Sequence, residues 1–266
     1  MRSAFCLCIL AVAVTAAAAA ADGGPSPGIA TGWDGVLAPG GKLRYVAVPG
    51  GGARTVVEAV RVRGGRVERF AVIRGIYGVP MVTYGGQAGG LSHDGKTLVL
   101  STFPGAPVSR FAFLSTKTFR VRQVVTLRGT FSFDALSPDA AKLYLIEYVD
   151  PQNVNRYRVR AYDLQRRRLL AGAIVDRREP GEKMRGQPVR RVTGADGRWV
   201  FTLYTRQGAG PFVHALDSAK SEAVCLDLPW HGSQNALWRM RMQLSPDGSK
   251  LVLRGKGRRI VVRTPE

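Results

Sequence analysis

Apolar positions in this chain come in short runs that alternate with polar ones, and they do not sustain the three-to-four-residue spacing of an amphipathic helix. Residues 110–114 and 119–127 flank the polar turn 115–118; 156–164 and 169–175 flank 165–168; 212–216 and 222–228 flank 217–221. Runs this short, rich in β-branched and aromatic side chains and separated by turn residues, predict antiparallel hairpins. No amphipathic helix of ten or more residues is predicted beyond the N-terminal segment, so the fold class is all-β.

One phrase organises these hairpins. It runs Leu91-Ser92-His93-Asp94-Gly95-Lys96, returns as Leu136-Ser137-Pro138-Asp139-Ala140-Ala141-Lys142 and again as Leu244-Ser245-Pro246-Asp247-Gly248-Ser249-Lys250, each time followed by an apolar strand. Degraded copies start at Leu37 and Thr193, so the phrase recurs roughly every 45 to 57 residues. Its chemistry is that of a tight reversal: Pro fixes φ, Asp bonds the backbone two residues on, and Gly accepts φ > 0. These aspartates lack the regular carboxylate spacing of a calcium loop, so the turn reading prevails. A unit of 40 to 55 residues that holds about four strands is the grammar of a propeller blade. The chain accommodates about five four-stranded blades over residues 36–266. The last repeat leaves room for only two strands after its turn, so the segment around 29–36 is expected to complete that blade and close the ring.

The phrase resembles the WD40-like repeat of TolB-type periplasmic proteins, most closely at 91–100, 136–145 and 244–253. The resemblance implies a β-propeller scaffold and no particular activity, because propellers host unrelated functions.

The N-terminus follows another logic. Arg2, the apolar stretch from Phe5 to Val14 and the alanines ending at Ala21 form the pattern of a secretory signal peptide over residues 1–21. Residues 22–35, rich in Gly and Pro at their head, read as a flexible leader. Cleavage would remove Cys6 and Cys8 and leave Cys225 without a partner, so no intramolecular disulfide is expected. No later window approaches 18 apolar residues, and no transmembrane span is predicted after the signal. The expected location is secreted or extracytoplasmic.

Charge changes the picture of what the surface does. The chain carries 39 Lys and Arg against 19 Asp and Glu, a formal +20, which favours polyanions and speeds encounter with them. Outside a cell the corresponding partner is an anionic cell-envelope polymer or a protein partner. No base-reading module is visible, so specific nucleic-acid binding is not predicted.

In a blade, the turns after strands one and three share a face of the disc. The opposite face collects the crossover segments, where Tyr84, Arg178, Arg185, Trp230 and His231 are the candidate binding residues: guanidinium groups grip carboxylate or phosphate bidentately, and an aromatic stacks on a sugar. The predicted role is non-catalytic binding or scaffolding. No cofactor or metal is called for, since His93, His214 and His231 have no ligand-spaced neighbours. Cys225 reads as a small core residue and Ser92 lacks a nucleophile elbow. The alternative is a five-bladed hydrolase of glycosidase type, with Asp34, Asp134 and Glu147 as conceivable acids.

Overall fold

The computed structural model describes residues 28–150, 153–206 and 208–266. The signal peptide, Cys6, Cys8 and the head of the leader lie outside them. The chain is built from antiparallel strands, in order β1 (Ile29–Ala30), β2 (Gly35–Leu37), β3 (Leu43–Gly50), β4 (Arg54–Arg61), β5 (Val67–Arg74), β6 (Val79–Pro80), β7 (Thr97–Ser101), β8 (Val108–Ser115), β9 (Val121–Arg128), β10 (Thr130–Leu136), β11 (Lys142–Tyr148), β12 (Tyr157–Asp163) and β13 (Arg168–Leu169). They continue as β14 (Gln187–Thr193), β15 (Trp199–Thr205), β16 (Phe212–Asp217), β17 (Glu222–Asp227), the short helix α1 (Gln234–Leu237), β18 (Arg241–Leu244), β19 (Lys250–Gly255) and β20 (Arg258–Arg263).

Four-stranded meanders form from β2–β5, β10–β13 and β14–β17, and three-stranded ones from β7–β9 and β18–β20. In the β7–β9 sheet the innermost position is filled by an irregular run in which Leu91 bridges Leu98. Each recurring phrase is a turn between inner strands, as its residues require. Asp94 accepts from the Ser92 hydroxyl at 2.7 Å and from the Lys96 backbone N–H at 3.0 Å, while the Thr97 N–H donates to Ser92 Oγ at 2.9 Å. The copies at Ser137–Asp139 and Ser245–Asp247 repeat these bonds. The turn after the third strand then docks on the phrase turn, as in Thr116 N–H to Lys96 O and Leu164 N–H to Ala141 O, both at 3.0 Å.

The two-residue period of the strands builds a core on both faces of the middle sheets. Leu143 and Leu145 pack with Val99, Phe111 and Phe133 towards the preceding sheet, whereas Tyr144 packs with Val200 and Leu216 towards the following one. Tyr45, Ala47 and Val57 join Leu98 and Leu100, and Phe201, Leu203 and Val213 join Met242, Leu251 and Leu253. Successive sheets stacked face to face in this way make an all-β fold of propeller type.

The expected closure by residues 29–36 is corrected. Ile29 and Ala30 pair with Pro80 and Val79, and 35–37 is the inner strand of the first sheet. Gly78 explains the choice: a Cβ there would lie 2.7 Å from the Ala30 carbonyl and 2.8 Å from Ile29 Cβ, so only glycine lets this segment come so close. Ala30 is then buried with Val79 in the first core cluster. Among the described residues no core cluster joins the last sheet to the first.

Candidate functional site

Where the inner strands converge, the centre is filled by a polar network. Both β10 and β14 shift register, between Phe133 and Ala135 and between Pro188 and Arg190, and such bulges re-aim side chains. Arg191 donates through its guanidinium to the Asp134 carboxylate and to the Asp134 carbonyl, and through Nε to Thr202 Oγ1 at 2.9 Å. Its backbone N–H meets Gln87 Oε1 at 2.6 Å, and Gln87 Nε2 returns a bond to the Arg191 carbonyl at 2.8 Å. Asp134 is thus a buried ion-pair partner that ties β10 to β14, and Gln87 joins the run before β7 to the same arginine.

The other carboxylates of the hydrolase reading are placed differently. Glu147 accepts from Arg158 Nε and from Arg160 Nη1, each at 2.6 Å. Burial disfavours its charge, but the two arginines outweigh this and hold the carboxyl below its ordinary range. A general acid needs the opposite shift. Asp34 is exposed on the surface. Cys225 is half-buried, its thiol pushed up to about 12 chiefly by burial, as a packing residue's would be. Among the described residues no group of three or more His, Cys, Asp or Glu is arranged to hold a metal, and no helix is long and apolar enough to cross a membrane.

The crossover segments gather on one side. Arg190 donates to the carbonyls of Gly85 at 3.2 Å and Trp238 at 2.8 Å, joining the 83–86 loop to the 229–240 loop. Tyr84 meets Trp238 edge to face at 6.4 Å between centroids, and its hydroxyl is pushed up to about 12 by burial, with Tyr148 adding to it. Arg206 links the 182 loop to β17 through Glu182 at 3.1 Å and Asp227 at 3.0 Å, and its carbonyl accepts from Gln234 Nε2 at 3.1 Å.

Beside this junction a cleft of about 360 Å³ opens between α1 and the β19–β20 hairpin, lined by Ser233, Asn235, Arg239, Met240, Lys256 and Arg258. Its three cations are exposed and make no ion pair among the described residues. Arg258 lies over the Trp230 ring at 5.1 Å, and Trp230 Nε1 is buried without an acceptor. Gly232 permits this packing, since a Cβ there would meet Arg258 Nη1 at 2.1 Å and the indole at 2.7 Å. The arrangement suits an anion: three cations, a hydroxyl and an amide converge with no carboxylate among them.

Of the residues singled out from sequence, Tyr84 meets the 229–240 loop at Trp238, and Trp230, in that loop, packs under Arg258 of β20. His231 and Arg185 are exposed. Arg178 sits apart, on the outer edge of β17, where it donates to Asp176 and to the Cys225 carbonyl. Asp176 in turn accepts from the Cys225 N–H at 2.7 Å. The cleft cations Arg239, Lys256 and Arg258 escaped the sequence reading because no two adjoin. Their signal is a cluster of basic residues across 239–263 that carries one acid, Asp247.

No protein family model matches the chain, and no curated protein does. Among solved structures it is similar to hydrazine synthase from Kuenenia stuttgartiensis, with a TM-score of 0.50, 15% identity, and coverage of 82% of this chain and 53% of that one. It is also similar to the dihydro-haem d1 dehydrogenase NirN, with a TM-score of 0.50, 13% identity, and coverage of 86% and 43%. TolB from Acinetobacter baumannii aligns with a TM-score of 0.47, 14% identity, and coverage of 86% and 53%. The chain therefore spans about half the length of these three structures. Identities this low speak to the fold alone.

Proposed function

We propose that this chain is a secreted, non-catalytic binding or scaffolding propeller that engages an anionic cell-envelope polymer or protein partner through its crossover face. The observation that carries the reading is the cleft in which Arg239, Lys256 and Arg258 converge beside Trp230 without an acidic neighbour. His231 belongs to the cleft's own loop and Tyr84 meets that loop at Trp238, while Arg185 is an exposed cation of the 176–186 crossover. Arg178, tied to Asp176 on the outer edge of β17, stands outside the cleft. Export belongs to the proposal, with the mature chain beginning at or near Asp22.

The test is retention of the secreted product, its N-terminus sequenced, on purified cell envelope across a salt series. Replacing Arg239, Lys256 and Arg258 by Gln should weaken retention about tenfold, the sum of a few modest ion pairs. Replacing Arg166, Arg167 and Arg168 on the opposite face removes the same charge and should do much less. Equal losses from the two triplets would overturn a cleft-centred site, and recovery of Met1 in a soluble cytoplasmic product would overturn export.

A further inference from the structure

The last sheet carries a row that its own fold does not explain. Arg241 pairs in register with Arg254, and Arg254 with Arg259, so three arginines stand directly opposite one another on adjacent strands, about 4.8 Å apart. Two residues along lie Gln243, Val252 and Val261, and beyond Val252 and Val261 come Lys250 and its partner Arg263. These residues share one face. The other face holds Met242, Leu251, Leu253, Ile260 and Val262 against the preceding sheet. The outward face therefore presents five exposed cations and no carboxylate, and none of the five makes an ion pair among the described residues.

Like charges directly opposite each other destabilise a sheet; in the other sheets they occur as single pairs, Arg54 opposite Arg74 and Asp217 opposite Glu222, whereas here three arginines stand in one row. A triple arginine row is retained on the one outer sheet whose free face is this basic. The row also continues the cleft. Arg239 is two residues before Arg241 and Lys256 two after Arg254, while Arg258, opposite Gly255 and over Trp230, belongs to the other face of the sheet. From the triple row to the Lys250–Arg263 pair is four residues of strand, about 13 Å, so cleft and ladder form one basic track long enough for several repeats of a linear ligand.

The side chains on the track narrow the ligand class. It bears no exposed aromatic ring, so it offers no platform for stacking bases. Its apolar content is limited to Val252 and Val261, too little to seat in a bilayer. What remains is repeated, planar, two-pronged donors matched to carboxylate or sulfate groups. We infer that the outward face of the last sheet is a binding track for an acidic polysaccharide, with the Arg241–Arg254–Arg259 row as its centre. This rests on the anion-binding reading above and extends it from a cleft to a polymer path.

The probe is a polygalacturonate oligomer of defined length, titrated into the full secreted chain at several salt concentrations. The ladder variant R241Q/R254Q/R259Q should bind about tenfold more weakly, and its dependence on salt should be shallower by about two to three released counterions. The control R120Q/R122Q/R128Q removes equal charge from another sheet and should change both far less. Relief of like-charge repulsion should leave the ladder variant's thermal midpoint unchanged or raised, so weaker binding with a normal melt cannot be ascribed to misfolding. An unchanged affinity in the ladder variant, with loss in the cleft variant, would overturn the track and leave the cleft reading intact. Equal losses in ladder and control would overturn the track as diffuse attraction. Tighter, ladder-dependent binding of single-stranded DNA or anionic vesicles would overturn the polysaccharide assignment, and failure of the parent chain to bind any polyanion would overturn track and cleft together.

Discussion

His214 shows how position in the sheet sets a residue's chemistry. It lies opposite Thr202 and Cys225 in register, with Tyr204 edge-on at 6.4 Å. Burial pushes its imidazole down to about 4; Asp134 opposes the shift, Arg191 adds to it and Asp176 opposes it. The unfolded chain, with an ordinary histidine near 6.5, binds more protons than the folded one between these values. Stability is therefore full above about 6.5 and is lost as pH falls through that window towards 4. His214→Phe should remove this component, worth up to about 3 kcal/mol. Urea unfolding at pH 7, 5.5 and 4.5 would measure it; a variant with the parent's full loss between 7 and 4.5 would assign the acid sensitivity to other groups. The recurring turn was legible in sequence because its bonds run between residues two to five apart. Nothing local announced that Arg191 would reach Asp134, 57 positions away, so the acid of a conceivable hydrolase became a structural ion pair only in three dimensions.

Hairpins were similarly legible, since each is a local alternation bounded by turn residues, and β8–β9, β12 and β16–β17 fall where the pattern puts them. The predicted strand over 169–175 survives only as β13 and a bridge from Val159 to Ile174, its tail diverted at Asp176 to the edge of β17. The inner run of the second sheet was harder to read, because Gly85, Gly86, Gly89 and Gly90 break its periodicity. Those glycines have a packing purpose. A Cβ on Gly85 would lie 2.4 Å from the Val189 carbonyl and 1.6 Å from Arg190 Nη1, at the point where Tyr84 N–H bonds the Pro188 carbonyl at 2.9 Å. Gly85→Ala should force the loop off β14 and lower stability by about 1–3 kcal/mol, the range for overpacking. Gly86→Ala is not a fair control, because Gly86 has φ of +87°; Gly51, with open space around it, is. Chemical denaturation of the two variants would give the difference, and equal midpoints would mean the 83–86 loop does not rest on the fourth sheet.

At the scale of the whole molecule the repeats dictate stacking and leave the ends to settle themselves. Each pair of successive sheets shares a cluster of buried apolar residues, and repetition alone predicts that much. Closure depends on where the N-terminal segment finds partners, and Gly78 draws it to β6. The outward face of the first sheet then stays open: Phe70 is 64% exposed and Val72 54%, and Trp33, just before β2 of the same sheet, is 70% exposed. The outward face of the last sheet stays open too, and there the residues are basic. A test of this arrangement needs a side chain whose energy depends on closure. Phe70 is one, because covering it would bury a large aromatic, and removing a buried Phe costs about 3–5 kcal/mol. On an open face the same substitution falls within about 0.5 kcal/mol. Phe70→Ser should therefore leave the urea midpoint nearly unchanged, while Leu251→Ala, which empties the packed interface between the last two sheets, should cost about 2–5 kcal/mol. A large loss from both would mean that the first and last sheets pack against each other in solution. The arginine row would then lie inside that contact rather than on a free face, and the polysaccharide track would lose its access.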